Sequence, residues 1–596
     1  MDGQPNASVT FRYDEPEALY GVGQLTSITD ASGVSKYSYT ASGEIASQEL
    51  IVDGRTLLTN YTYDGAGQLA SIEYPSGRKA VYQRNVAGEV IGITLNNGVN
   101  SRTLVSDLVR KPFGPVTDLT HGNGLWEERQ YDMNYQLESV QVAGAMHRSY
   151  LYTANSNVDS ITDLMDSSYS QTFNYDKLSR LIDATGGYGT REYTYNYNGN
   201  RTAIYRDGVK DSYSIVFNSN RLTKTSIGSI TYSYDANGNT IGRGTDVFGY
   251  DAFNRLTEAT VNGETSTYHY NSAHQRVRKS AGGVDVLYVY GLDGELLAEV
   301  DAGTGQTQRE YVWLDGQLVA YLVDGTVYHV HNDHLGTPQA LTDETGATVW
   351  KASYSPFGKA TVTTEQIKFN LRFPGQYYDA ETGLHYNWHR YYDPALGRYL
   401  QSDRLGLFDG VDTYGYVHGN PLIRIDPTGE FAWVLVGGAI GAGLNIATQL
   451  YSGHEIEWSS VVASAATGAL GGGLGTVTKS LSWGKNIIAN SIGSGLIGAG
   501  VTASKNRATG SCDDVLESAR NGIIFGGIGA SAGTVVSGIF KGVGRVKYES
   551  LPLEVRLFLS SNAINGLTKN RYEAMGVTVG DSIGSVISNM PIGNGE

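Results

Sequence analysis

The chain holds a single cysteine, Cys512, in 596 residues. No disulfide framework can form within it, so the fold must hold by burial and backbone pairing, and either redox compartment suits it. Charge is sparse at 17% of residues, and positive charge sparser still: 44 Lys and Arg against 60 Asp and Glu, a net charge of −16. That balance argues against a shell that binds nucleic acid, because phosphates call for a basic face. It favours solubility instead. No Gly-rich phosphate loop ending in Lys-Ser or Lys-Thr occurs, nor any cysteine pair for zinc. No cofactor and no metal are therefore expected. Residues Met1 to Thr10 lack a basic n-region and an apolar h-region, so no signal peptide is read there. Export or surface display would then use another route, or the chain is a piece of something longer.

Tyrosine and glycine are abundant. The chain has 42 Tyr against 14 Phe and 7 Trp, with 76 Gly. Tyrosine fills a pleated surface and keeps a hydroxyl for a backbone partner, so this composition suits many short strands joined by tight turns. The length suggests two or more units. A repeat is visible throughout. Tyr13-Asp14, Tyr63-Asp64, Tyr131-Asp132, Tyr175-Asp176, Tyr234-Asp235 and Tyr250-Asp251 open similar units. Tyr39, Tyr152, Tyr197 and Tyr270 open variants, and many of the gaps run from about 16 to 26 residues. The fuller phrase is Tyr-Asp-Ala-Phe-Asn-Arg-Leu at 250–256, Tyr-Asp-Lys-Leu-Ser-Arg-Leu at 175–181 and Tyr-Asp-Gly-Ala-Gly-Gln-Leu at 63–69. A strand reaches a turn of Asp, Asn and Gly, then returns as a second strand beginning near Leu or Ile. One hairpin is marginal alone, so about a dozen such units must stack side by side.

These units resemble the YD repeats of Rhs proteins, of the C component of bacterial Tc toxins and of teneurins. The resemblance covers about residues 8–430. Its most specific text is His331-Asn332-Asp333-His334-Leu335-Gly336-Thr337-Pro338, Tyr354-Ser355-Pro356-Phe357-Gly358, Arg390-Tyr391-Tyr392-Asp393-Pro394 and Gly397-Arg398-Tyr399-Leu400-Gln401-Ser402-Asp403, ending on Asp426-Pro427-Thr428-Gly429. The stretch is similar to the Rhs repeat-associated core. The resemblance implies a mainly β fold, a spiral of hairpins forming a hollow shell that encloses a C-terminal polypeptide, usually a toxin. Residues 1–325 would be repeats, 326–430 the core that plugs the shell, and 431–596 a variable C-terminal region. The metal reading of His331 and His334 with Asp333 between them is weak, because the family uses that phrase as turn text.

In many family members the core is an aspartic autoprotease. The resemblance carries the acid pair onto Asp403 and Asp426, a supporting arginine onto Arg390, and the scissile bond onto Glu430–Phe431. Two close carboxylates cannot both ionise cheaply, so one keeps a proton while the other activates water. Two departures weigh against the transfer. Arg404 stands where the family has proline, and is expected to lower the pKa of Asp403. Glu430 stands where the family favours leucine, and puts a third acid near the pair. The alternative is that Asp403 and Asp426 are turn residues of a purely structural plug.

Composition changes after Gly429. Residues 431–451, 460–478, 486–504 and 521–540 carry no charge, and glycines recur four apart at Gly437 and Gly441, Gly468 and Gly472, Gly522 and Gly526, and Gly529 and Gly533. Helices with that spacing pack closely, in a membrane or in a sheltered soluble packet. The expectation is thus a glycine- and alanine-rich helical C-terminal segment, membrane-associated through 431–540 on one reading. His454 is taken as solvated, and residues 553–559 as a short amphipathic helix. The favoured function is a secreted or surface polymorphic-toxin fragment. Its β-shell would carry, and by self-cutting release, a membrane-active effector. Implied partners are its own C-terminal region, an immunity protein, secretion machinery, and a target membrane or glycan. A carbohydrate-binding adhesion protein and a nonfunctional displaced tip are the alternatives.

Overall fold

The computed structural model describes residues 8–431 apart from 113 and 218, together with 433–434, 546–547 and 577–578. The expectations placed on 431–540, on His454 and on 553–559 lie outside the described residues, apart from Phe431 and the two-residue strand Trp433–Val434. The chain divides into units 1–448 and 449–596. In the second, Val546–Lys547 pairs in parallel with Val577–Thr578.

The first unit is built from antiparallel neighbours in sequence. Twenty strands from Thr10–Tyr13 to Leu222–Thr225 form one ladder, and fourteen from Tyr232–Tyr234 to Ala360–Glu365 form a second. A single bridge, Lys224 to Thr231, links them. A third, four-stranded sheet spans Tyr377–Asp379 to Arg398–Tyr399. Among the described residues there is no α-helix, only three short 3-10 turns.

The Tyr-Asp phrase builds each unit in the same way. In the hairpin closed by Tyr63 and Asp64, the Asp64 amide donates to the Gln68 carbonyl, and the Gly67 amide donates to the Asp64 carbonyl. The Asp64 side chain accepts from the Ala66 and Gln68 amides at 2.8 and 3.0 Å. That is an Asx turn, which is why aspartate follows the tyrosine. Four residues after the tyrosine the backbone is left-handed: Gly67 has φ 75°, and Asn254 has φ 62° in the corresponding place. The tyrosine itself reaches back to the preceding unit. Tyr63 donates to the Ile45 carbonyl, Tyr152 to Leu137, Tyr175 to Val158, Tyr195 to Leu181 and Tyr270 to Leu256, all at 2.7–2.9 Å. The acceptor is each time the residue that opens the previous return strand. The repeat phrase thus encodes a turn and a latch to its neighbour.

Units outnumber the dozen read from tyrosine, because other donors replace the latch. Arg84 Nη2 reaches the Leu69 carbonyl at 3.0 Å, Trp313 Nε1 reaches Leu296 at 2.8 Å, and Asn332 Nδ2 reaches Leu318 at 2.7 Å. The second ladder returns alongside the first at a nearly constant offset in sequence. Tyr74 donates to the Tyr311 carbonyl, Arg78 pairs with Glu310, Arg55 Nε donates to Ala302, and Asn123 donates to Thr342. A spiral places residues one winding apart in this way.

Burial follows from that winding. Strands of the second ladder are covered on both faces, as in Leu296–Asp301, Gln317–Val323 and Pro338–Thr342. They read as continuous apolar runs for that reason. Val312, Val319 and Leu322 pack with Ile72, Ile93 and Leu104 of the first ladder. Tyr288, Tyr311 and Tyr321, on the opposite face, pack with Phe369, Tyr377 and Tyr391 of the core region. The four-stranded sheet is anchored by an ion pair with no exposure at either side chain, Arg276 with Asp379. Lys279 adds a contact to the same carboxylate at 2.9 Å, and the Arg276 guanidinium lies against the rings of Tyr386 and Tyr288. Burial of the pair is tolerable because both oxygens of Asp379 are bonded.

Candidate functional site

The site lies where the last strands of the four-stranded sheet meet the irregular chain of 400–431. Arg390 opens the strand Arg390–Asp393 and is 3% exposed. Its Nη2 stands 3.1 Å from Asp403 Oδ2 and 3.3 Å from Asp426 Oδ2. Both acids expected to form the pair therefore share one guanidinium nitrogen. The rest of Arg390 is fixed as well. Its Nε donates to the Gly429 carbonyl, its Nη1 donates to the Thr413 carbonyl at 3.2 Å, and its guanidinium lies 3.7 Å from the centre of the Tyr399 ring.

Asp426 is the more enclosed acid, 2% exposed. Its Oδ2 accepts a 2.6 Å bond from the Tyr399 hydroxyl. Its Oδ1 accepts from the Glu430 and Phe431 amides at 3.0 and 3.1 Å. The expected scissile amide is thus in direct contact with the expected acid. Two glycines make this approach possible. At Gly429, with φ 71°, a Cβ would stand 2.3 Å from the Asn387 carbonyl oxygen, and at Gly375 a Cβ would stand 2.0 Å from that of Pro427. Asn387 Nδ2 also donates to the Asp426 carbonyl and to the Tyr399 hydroxyl, at 2.8 Å each.

The electrostatics depart from expectation at Asp403. Burial pushes its carboxyl up to about 6, against the downward pull of Arg390. Arg404 turns away to Glu430, Nε to Oε1 at 3.3 Å. The residue expected to depress Asp403 neutralises the third acid instead. Asp426 is likewise raised to about 6 by burial, with Arg390 and the Tyr399 hydroxyl opposing. Burial raises Glu430 as well, with Arg404 opposing. The neighbouring His389 is pushed down to about 3, chiefly by burial and then by Arg404, and its Nδ1 lies 3.0 Å from the Thr428 carbonyl. Phe431 is buried and meets Phe408 edge to face, 6.4 Å between ring centres.

Sequence reasoning named Arg390, Asp403, Asp426, Glu430 and Phe431, and the fold brings all five together. It missed Tyr399, which stands inside a quoted phrase, and Asn387, because nothing in their spacing announces a bond to Asp426. The phrase His331-Asn332-Asp333-His334 is a repeat turn. Asp333 Oδ1 accepts from the Leu335 and Thr337 amides at 2.9 Å, as Asp64 does in its own turn. His334 Nε2 lies 2.7 Å from the Leu422 carbonyl, with its ring tilted against that of Tyr150.

Consecutive antiparallel hairpins, many of them latched to the one before, define a hairpin-repeat shell. Comparison with known proteins agrees. The teneurin YD-shell family matches residues 128–417. The tRNA3(Ser)-specific nuclease WapA of Bacillus spizizenii is 36% identical over 284 residues, 45% of this chain and 12% of that protein. The double-stranded DNA deaminase toxin A of Burkholderia cenocepacia is 28% identical over 450 residues, 66% of this chain and 30% of that protein. Among solved structures, the Photorhabdus luminescens Tc holotoxin pore aligns with a TM-score of 0.62 at 20% identity, over 72% of this chain and 25% of that one. Over residues 128–417 the chain thus shares the YD-shell of the Rhs/YD-repeat proteins. It spans less than a third of the length of these relatives.

Proposed function

We propose that the chain is the shell and core of a secreted polymorphic toxin, and that its core cuts the chain once, between Glu430 and Phe431. The observation that carries this reading is the bond from the Phe431 amide to Asp426 Oδ1, beside a second acid on the same arginine. Both acids are buried and raised to about 6, so near that pH one keeps its proton while the other is charged. The charged carboxyl, Asp403, takes a proton from water, and the water oxygen bonds to the Glu430 carbonyl carbon. Asp426, on the leaving-nitrogen side, gives its proton to the Phe431 nitrogen. The C–N bond then breaks to a Glu430 carboxylic acid and a Phe431 amine, and the proton of that new acid passes to Asp426. Arg390 holds both acids in register, and proximity takes the place of substrate affinity.

Residues from 431 onward are the cargo on this reading. Relatives named as a tRNA nuclease and a DNA deaminase toxin support a toxin role for the whole protein. They leave the chemistry of this cargo open, because the segment differs in composition from its surroundings and carries no nuclease or deaminase motif. The test is the intact mass of the purified full chain beside Asp403→Asn and Asp426→Asn. Fragments split after Glu430 in the parent alone, formed fastest near about pH 6, are expected. An uncut parent across the acid range would leave the core as a structural plug.

A further inference from the structure

Three histidines and a glutamate from the two ladders meet in the layer between them. His121 ends the strand Val116–His121, and Glu127 lies on Trp126–Tyr131, both in the first ladder. His329 and His331 lie on Thr326–Asn332 of the second. All four are 2% exposed or less. His121 Nε2 stands 3.0 Å from Glu127 Oε2, and the His121 ring lies 4.6 Å from that of His331 and 5.7 Å from that of His329. Polar atoms buried so deeply are normally bonded. Here His121 Nδ1, His331 Nδ1 and both ring nitrogens of His329 have no hydrogen-bond partner.

The remaining contacts resemble the outer support of a metal centre. His331 Nε2 lies 2.9 Å from the Thr342 hydroxyl, so a proton on Nε2 leaves the Nδ1 lone pair bare. Glu127 Oε1 accepts from Arg129 Nε at 2.6 Å, which orients the carboxylate. One donor atom from each of His121, Glu127 and His331 falls within 4.8 Å of the others.

We propose that His121, Glu127 and His331 bind a zinc-class divalent cation that clips the first ladder to the second. Two imidazoles and a carboxylate suit zinc by ligand type, and bonds of about 2 Å place donors roughly 3.3 Å apart. The His121–Glu127 pair already stands near that spacing, so His331 has the largest shift to make. A fourth position for water is available, because His121 and Glu127 line a cavity of about 200 Å³. The metal reading first weighed for His331 with Asp333 and His334 does not form, since those two side chains turn to other partners. The partners that do form, His121 and Glu127, come from two strands that sequence spacing cannot connect to His331.

The test uses the full chain, stripped with a chelator, reloaded with zinc chloride and passed through gel filtration. One zinc per chain by elemental mass spectrometry is expected, with a zinc-dependent rise in Tm. Glu127→Gln keeps the side-chain shape and is expected to lose both, as is His331→Gln. His418→Ala, outside the cluster, is expected to keep both. Cobalt(II) in place of zinc should give the visible absorption of a four-coordinate site in the parent and not in Glu127→Gln. Failure of the parent to retain zinc, or retention undiminished in Glu127→Gln, overturns the proposal. Should His331→Gln fail to fold, Glu127→Gln decides alone.

Discussion

Replacing Asp426 with asparagine should make the protein more stable at neutral pH while stopping the cut. Burial raises the Asp426 carboxyl from 3.8 to about 6. A group whose folded pKa lies above its unfolded value binds its proton more tightly in the folded state. It therefore favours folding at low pH, and that contribution is lost as pH rises from about 4 through about 6. Above that window the folded protein carries the full cost of ionisation, two pH units or about 3 kcal/mol. Asparagine does not ionise, and its Oδ1 can still accept from the Glu430 and Phe431 amides. The measurement compares Asp403→Asn with the Asp403→Asn/Asp426→Asn double variant, so that both proteins are uncut. Over a shell of this size about 3 kcal/mol corresponds to roughly 3 °C in Tm. The double variant should gain about that much at pH 7.5 relative to its behaviour at pH 4. A difference in Tm that is flat with pH, or that grows toward acid, would refute burial as the source of the raised carboxyl.

Three further outcomes are expected. Gly375→Ala removes no acid, yet its Cβ would collide with the Pro427 carbonyl at a left-handed position, φ 81°. It should slow self-cutting by about tenfold or more, read by mass against time, because small misplacements of reacting groups cost that much. Asp379→Ala leaves Arg276 and Lys279 buried without their shared carboxylate. It should cost about 3–5 kcal/mol, read as a lower denaturant midpoint and faster proteolysis. Tyr175→Phe deletes one latch, the 2.7 Å bond to the Val158 carbonyl, and should cost about 1 kcal/mol by the same denaturation assay. An unchanged midpoint would mean the tyrosine serves by ring packing alone.

The repeat was legible because its constraints are local. Asp64 makes its turn with residues two and four ahead of it, and any such turn writes the same short phrase. The count of units was not legible. The latch needs only a donor of sufficient reach, and Arg84, Trp313 and Asn332 supply one without spelling tyrosine. The five expected site residues were legible through their resemblance to a family phrase. Their electrostatics were not. Arg404 follows Asp403 in sequence and looked like its partner, but the Asx-type bond from the Leu405 amide to Asp403 Oδ1 accompanies a turn there, and the Arg404 side chain ends at Glu430. Contacts between windings, such as His121 with His331, leave no trace in local spacing.

The placement of the acids also bears on when a cut can occur. Asp403 and Asp426 lie outside the regular sheets, in chain held by turns of the ladders. Tyr414 donates to the Gly238 carbonyl at 2.6 Å, Arg398 to Asn220 at 2.7 Å, and Asn420 to Asn157 at 2.8 Å. Gly238 sits in a turn of the second ladder, and Asn157 and Asn220 in turns of the first. On the proposed reading, Arg390 can gather both acids only once those turns exist, so cutting follows folding of the ladders. A variant that weakens a ladder turn and its hold on Asn420, such as Asn157→Ala, should then delay the appearance of fragments during refolding while leaving the cleavage position unchanged. Cutting at the parental rate before the ladders form would separate the site from the shell and remove that dependence.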